Sequence, residues 1–139
     1  SLDLSEEKIS NKVIENFTES HLFLGQRGVA KFAVENLLKN EDGAMAYKCT
    51  DISRGMFKYK DMDGKEYKDP KARKLTKKIS AKVIDKAKNI TELIAERHNS
   101  NPSIETNVEM KIATNGMSDI KWIEDNNDKF TRELKILTS

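Results

Sequence analysis

The chain is poor in the residues that mark several common protein classes. Its 139 residues include two Pro, one Trp and a single Cys, Cys49. One cysteine cannot form an intrachain disulfide, which excludes a disulfide-stapled secreted domain. No apolar run approaches the roughly 20 residues that a membrane-spanning helix needs, and no secretory signal pattern opens the chain. We therefore expect an intracellular protein that is neither secreted nor embedded in a membrane.

The composition favours one folded domain. Hydrophobic residues make up 37% of the chain and charged residues 35%, and the apolar residues recur at structural periods. A chain of this length buries enough apolar surface to fold unaided. We expect a single α+β domain over residues 1–139, and the first residue, Ser1 rather than Met, is consistent with a fragment of a longer protein.

The small net charge of +2 hides a basic segment. Residues 46–82 contain twelve Lys or Arg against five Asp or Glu, a local net charge of +7, and the rest of the chain carries −5. Such a division favours either an anionic partner for the basic segment or an acidic surface of the same chain that it faces.

Apolar spacing predicts two N-terminal helices and one long helix. Ile9, Val13 and Phe17 begin a first helix, and a second runs from about Val29, after a short turn. From Pro70, placed in a first helical turn, apolar residues at intervals of three and four predict the longest helix, to about residue 98.

Alternating residues predict a small antiparallel sheet. Residues 47–50 suit a short strand, and residues 56–60 meet residues 66–68 across Asp63-Gly64, a β-hairpin signal. An internal loop is expected over residues 99–105. Alternation through Val108 and Ile112 then predicts a further strand that turns at Asn115-Gly116.

The C-terminal segment, residues 118–139, allows two interpretations. Ser118-Asp119 is able to cap a helix with a heptad seam, or Asn115-Gly116 closes a hairpin and only residues from about 127 are helical. Both make the last dozen residues helical. Docking of this helix on its own domain competes with pairing to another copy or another protein, for which the interaction residues would be Ile123, Phe130, Leu134 and Leu137.

The basic segment is the candidate ligand site. Lysines recur along one stripe of the long helix, close in sequence to a basic hairpin that also carries Phe57, Tyr59 and Tyr67. Cations could neutralise phosphates while aromatic rings stack on bases. The candidate residues for DNA or RNA binding are Arg54, Lys58, Lys60, Lys71, Arg73, Lys74 and Lys78. The competing interpretation is an ordinary solvated helix whose Lys stems cover apolar surface.

Other motifs carry little chemistry. Gly25-Gln26-Arg27-Gly28 resembles the loop with which KH modules clamp a nucleic-acid backbone, but a plain interhelical turn is the preferred interpretation. Asp61-Met62-Asp63-Gly64 lacks the further ligands of a calcium loop, so it is interpreted as a turn. His21, His98 and Cys49 fall on separate elements, without a nucleophile motif or a zinc ligand set. We expect no enzymatic activity, no metal and no cofactor, unless a cleft gathers distant carboxylates.

The stretch from Tyr47-Lys48-Cys49-Thr50 through Lys71-Ala72-Arg73-Lys74 resembles a segment of uncharacterised proteins of giant viruses and large phages. Gly25-Gln26-Arg27-Gly28-Val29 is similar to part of the same pattern, and the resemblance covers about Leu22 to Ile79. It implies no established activity. It does imply a viral protein of the host-cell cytoplasm or the virion, with a role in nucleic-acid handling or in virion or host interaction.

Overall fold

A computed structural model describes all of residues 1–139. Three helices, a three-stranded antiparallel sheet and three further helices follow one another along the chain. In order they are α1 (Glu6–Asn16), α2 (Glu19–Phe23), α3 (Gln26–Asn36), β1 (Tyr47–Asp51), β2 (Met56–Lys60), β3 (Glu66–Pro70), α4 (Arg73–Ser100), α5 (Ile104–Lys121) and α6 (Asp128–Thr138). The predicted α+β class is confirmed, with its hairpin, its long helix and its C-terminal helix.

The sheet has the order β1-β2-β3, with each strand antiparallel to its neighbour. The β2–β3 turn occupies residues 61–65 at the predicted place. One oxygen of the Asp61 carboxylate accepts the backbone N–H groups of Asp63, at 3.0 Å, and Lys65, at 2.9 Å. Gly64 supplies the left-handed backbone, with φ of 81°. The motif is therefore a tight hairpin turn, as predicted.

The N-terminal region contains three helices rather than the predicted two. The first apolar stripe is interrupted at Phe17 and Thr18, which are not helical. The backbone N–H of Thr18 donates to Nδ1 of His21 at 3.1 Å, so the side chain of His21 closes the start of α2. Buried Phe17 and Leu22 keep the chain against the core on both sides of this break.

The two glycines of Gly25-Gln26-Arg27-Gly28 serve close packing. Gly28 lies inside α3, where a Cβ atom would overlap the carbonyl oxygen of His21. Gly25 has φ of 62° and lies against the side chain of Asp119. That carboxylate accepts the backbone N–H of Gln26 at 2.8 Å, at the N-terminus of α3. The predicted interhelical turn is present at Leu24 and Gly25, between α2 and α3. The similarity to a KH loop is wrong, because Gln26, Arg27 and Gly28 belong to α3 and both glycines pack against other parts of the domain.

The predicted strand through Val108 and Ile112 is wrong, since these residues belong to α5. Ser103 and Thr106 cap this helix reciprocally: each side-chain oxygen accepts the other residue's backbone N–H, both at 3.0 Å. The connection between α4 and α5 is consequently only residues 101–103, shorter than the predicted loop over 99–105. Asn115 and Gly116 lie inside α5 rather than in a turn.

The C-terminal segment is split between two helices. α5 continues to Lys121, residues 122–127 form a turn, and α6 confirms that the last dozen residues are helical. Ile123, Phe130 and Leu134 are at most 1% exposed, and α6 packs against α3 and β1. The partner-binding role predicted for them is wrong, because they fill the core of their own domain. Leu137 is half-buried against the same core.

Candidate nucleic-acid interface

The sheet register divides the basic segment between two faces. Side chains of successive strand residues point to opposite faces of a sheet. Lys58 pairs with Lys48 on β1 and with Lys68 on β3. The next residue, Tyr59, is 7% exposed and belongs to the core. The three lysines therefore share the outer, solvent-facing side of the sheet.

Lys48, Lys58 and Lys68 form what we call the lysine row. They lie directly opposite one another on strands about 4.8 Å apart, an arrangement of like charges that destabilises a sheet. The one carboxylate within 4 Å is that of Glu66, whose Oε1 is 3.7 Å from Nζ of Lys58. Both side chains of this pair are well exposed, so it contributes little. The lysine row keeps an uncompensated positive charge.

The predicted aromatic partners of these lysines lie on the other face. Tyr59 and Tyr67 pair across β2 and β3, and their rings stack with centroids 5.2 Å apart on the inner side. Phe57 and Tyr47 continue the stack into the core, where both are fully buried. The expected mixture of cations and aromatic rings does not occur on the outer face, because the period-two alternation of β2 separates Lys58 and Lys60 from Phe57 and Tyr59. On the inner side, Nζ of Lys65 lies 5.1 Å from the ring centre of Tyr67.

Three of the predicted cations lie at one end of the sheet. The backbone N–H of Lys71 donates to the carbonyl of Gly55 at 2.7 Å, which fixes the β3–α4 junction to the β1–β2 turn. This turn carries Arg54, whose Nε is 3.7 Å from the carboxylate of Asp51. Arg73 begins α4 and is exposed, with no carboxylate within 4 Å. These cations add positive charge at this end of the sheet.

The start of α4 is fixed by a buried carboxylate. Asp69 is 0% exposed and accepts the backbone N–H groups of Lys74, at 2.8 Å, and Leu75, at 3.1 Å. The hydroxyl of Tyr47 donates to the same carboxylate at 2.8 Å. Burial, and then the charge of Asp69, raise the pKa of Tyr47 well above its usual range. This network joins β1, β3 and α4 and so orients the lysines of the helix.

The remaining predicted cations, Lys74 and Lys78, line a groove on the inner side of β3. Nζ of Lys74 is 5.3 Å from the ring centre of Tyr67. Lys77, which the sequence did not single out, lines the same groove. The seven predicted residues therefore fall into three groups. Lys58 and Lys60 lie on the outer face of the sheet, Arg54, Lys71 and Arg73 lie at the β3–α4 junction, and Lys74 and Lys78 line the groove.

Lys48 and Lys68 were not among the residues predicted to bind nucleic acid, although Lys68 belongs to the predicted basic hairpin. Lys48 and Lys68 each lie within a predicted strand, so the alternation of side chains already indicates which residues of one strand share a face. The β2–β3 register follows from the hairpin turn. The β1–β2 register does not, because it contains an irregularity between Cys49 and Asp51.

The other titratable candidates have structural partners. Nε2 of His21 is 3.0 Å from Oε1 of Glu35, and Nδ1 of His98 is 2.7 Å from the hydroxyl of Thr106. No group of three His, Cys, Asp or Glu side chains is arranged to hold a metal ion.

None of the six helices has both the length and the apolar character that crossing a membrane requires.

Comparison with protein-family models, with curated proteins and with solved structures finds no match to this chain. The resemblance to proteins of giant viruses and large phages stays a prediction.

Proposed function

We propose that this chain is a non-enzymatic domain that binds the phosphate backbone of DNA or RNA through the outer face of its sheet. The observation that carries the proposal is the lysine row, in which Lys48, Lys58 and Lys68 stand in register on three strands. Lys60 lies on the same face, and Lys71 and Arg73 extend the positive charge to the β3–α4 junction. The viral or phage origin that the sequence resemblance implies belongs to this proposal.

A polyanion fits this face better than a single small anion. The ammonium groups are spread over the full width of the sheet, and each Lys is a flexible, strongly hydrated point charge. Successive phosphates of a nucleic-acid strand would relieve the repulsion among the lysines and release condensed counterions. A lone carboxylate or phosphate would neutralise only part of the row.

The binding should depend little on base sequence. Lysines that contact phosphates carry no sequence information, and the tyrosines that could stack on bases are on the inner face. We expect comparable affinities for oligonucleotides of different sequence, and a steep dependence on salt concentration.

The test uses two variants of equal charge. The row variant combines Lys48→Gln, Lys58→Gln and Lys68→Gln. The control variant combines Lys39→Gln, Lys88→Gln and Lys111→Gln, three exposed lysines without a carboxylate within 4 Å that lie outside the sheet. Fluorescence polarisation with labelled single- and double-stranded oligonucleotides measures the affinity at low salt.

The row variant should bind at least about tenfold more weakly than the wild type, since it loses three phosphate contacts. The control variant should lose much less, because only the long-range field changes. Equal losses in both variants, or no binding by the wild type at low salt, would show that the outer face is not the interface.

A further inference from the structure

A groove of about 510 Å³ lies on the inner side of β3, away from the lysine row. The N-terminal segment, the β2–β3 turn and the first turns of α4 enclose it. We call it the α4 groove. The side chains that bear on its chemistry are Tyr67, Asp3, Asp61, Asp63, Lys74, Lys77 and Lys78. Its volume falls within the range of small-molecule sites.

One wall of the α4 groove is cationic. Lys74, Lys77 and Lys78 are spaced three and four residues apart on α4, which places them on one face of the helix. All three are exposed, and none has a carboxylate within 4 Å. Asp69, the nearest carboxylate in sequence, is buried and accepts backbone N–H groups instead. This wall suits a compact anion with several oxygen atoms, such as a phosphate monoester.

The opposite wall offers hydrogen-bond acceptors. Only one oxygen of Asp61 is engaged in the β2–β3 turn, by the N–H groups of Asp63 and Lys65. Its second oxygen and the exposed carboxylate of Asp63 have no hydrogen-bond partner. Free carboxylate oxygens accept hydrogen bonds from amino groups and repel carbonyl oxygens. A ligand that places an amino group here and an anion at the lysines would match both walls.

The floor of the α4 groove is largely apolar. The half-buried ring of Tyr67 stacks on Tyr59 with ring centroids 5.2 Å apart, and the ammonium groups of Lys65 and Lys74 lie 5.1 and 5.3 Å from its centre. Buried Leu2 and half-buried Leu4 complete the floor. Such a surface favours a flat, partly apolar body between the two polar ends of a ligand.

We propose that the α4 groove binds a nucleoside monophosphate whose base carries an exocyclic amino group. The phosphate contacts the three lysines, the base and sugar lie over the apolar floor, and the amino group donates to Asp61 or Asp63. This site lies on the face opposite the lysine row and does not depend on binding of a polynucleotide there.

The first test compares matched ligands by isothermal titration calorimetry at low salt. CMP should bind, whereas cytidine and inorganic phosphate should each bind at least about tenfold more weakly, since each lacks one half of the ligand. UMP should also bind more weakly than CMP, because a carbonyl replaces the amino group that faces the carboxylates. Equal binding of CMP, UMP and inorganic phosphate, or no binding of CMP at millimolar concentration, would overturn the proposal.

The second test uses exposed side chains, so that folding is preserved. Lys78→Gln should weaken CMP binding about fivefold, the effect of one weak ion pair, and leave cytidine binding unchanged. Asp63→Asn should reduce the preference for CMP over UMP. Lys88→Gln, further along the same helix, is the control and should bind CMP like the wild type. A Lys78→Gln variant with wild-type affinity for CMP would contradict the assignment of the phosphate to this wall.

The row variant separates this proposal from the proposed function. It should bind CMP normally while losing oligonucleotides. Oligonucleotide binding without CMP binding would overturn the α4 groove proposal alone, and CMP binding without oligonucleotide binding would overturn only the outer-face interface.

Discussion

Gly116→Ala is expected to destabilise the domain strongly, although alanine is the better helix former. Gly116 is buried in α5 where this helix meets α2. A Cβ atom there would lie 3.0 Å from the carbonyl carbon of Leu22 and would overlap its oxygen. These are backbone atoms, which cannot rotate away as a side chain can. The two helices would have to separate.

The size of the effect follows from two opposing contributions. Overpacking a core costs about 1–3 kcal/mol, and a clash with backbone belongs at the upper end of this range. Replacing Gly by Ala inside a helix stabilises the helix by about 1 kcal/mol. The net loss is about 2 kcal/mol, which for a domain of this length lowers Tm by roughly 8 °C.

Circular dichroism melting and urea denaturation would measure this loss. Asn115→Ala is the matched control, because Asn115 is the exposed neighbour on the same helix and alanine should be neutral or slightly stabilising there. A Gly116→Ala variant that melts at or above the wild-type temperature would refute the close packing of α5 on α2.

Two further predictions concern buried polar groups. Because the pKa of Tyr47 is raised in the folded chain, its hydroxyl stays protonated at pH values at which the unfolded chain has lost this proton. Stability is therefore fully retained below about pH 10 and falls above it, by at most about 1.4 kcal/mol per pH unit. Urea denaturation between pH 7 and 11 should show this decline, and Tyr47→Phe should lessen it while costing about 1–3 kcal/mol at pH 7 through the lost bond to Asp69. Gln26→Leu should lower the free energy of unfolding by about 3 kcal/mol, since it leaves the N–H of Phe130 and the carbonyls of Asp119 and Asn126 without hydrogen-bond partners. An unchanged urea midpoint in this variant would contradict that network.

The elements that the sequence predicted well are those with local signals. The hairpin follows from Asp63-Gly64 between alternating residues, and α4 follows from a long run of apolar residues at helical spacing. Both signals require only the residues of the element itself.

The failures arise where packing against distant residues decides the structure. Val108 and Ile112 fit a strand by alternation but are also one helical turn apart, and the cap formed by Ser103 favours the helix. The glycines at 28 and 116 resemble turn residues, yet both permit neighbouring helices to approach. No local pattern distinguishes a glycine that turns the chain from one that makes room for another backbone.

The candidate site was predicted in its location but not in its geometry. The sequence identified the basic segment, whereas only the register shows that Lys58 stands between Lys48 and Lys68 while Tyr59 faces inward. Likewise, Lys74 and Lys78 were expected beside Lys58 and Lys60, but these two pairs lie on opposite faces of the sheet. Cross-strand pairing is a tertiary property, and the irregularity in β1 removes the simplest way of inferring it.

The salt dependence of oligonucleotide binding tests the central claim most directly. Affinities of the wild type and of the row variant, measured over a range of salt concentrations, give two slopes of log affinity against log salt. The outer-face interface predicts that the slope of the row variant is shallower by about 3 on duplex DNA, because three phosphate contacts are lost. Identical slopes for the two proteins would contradict it.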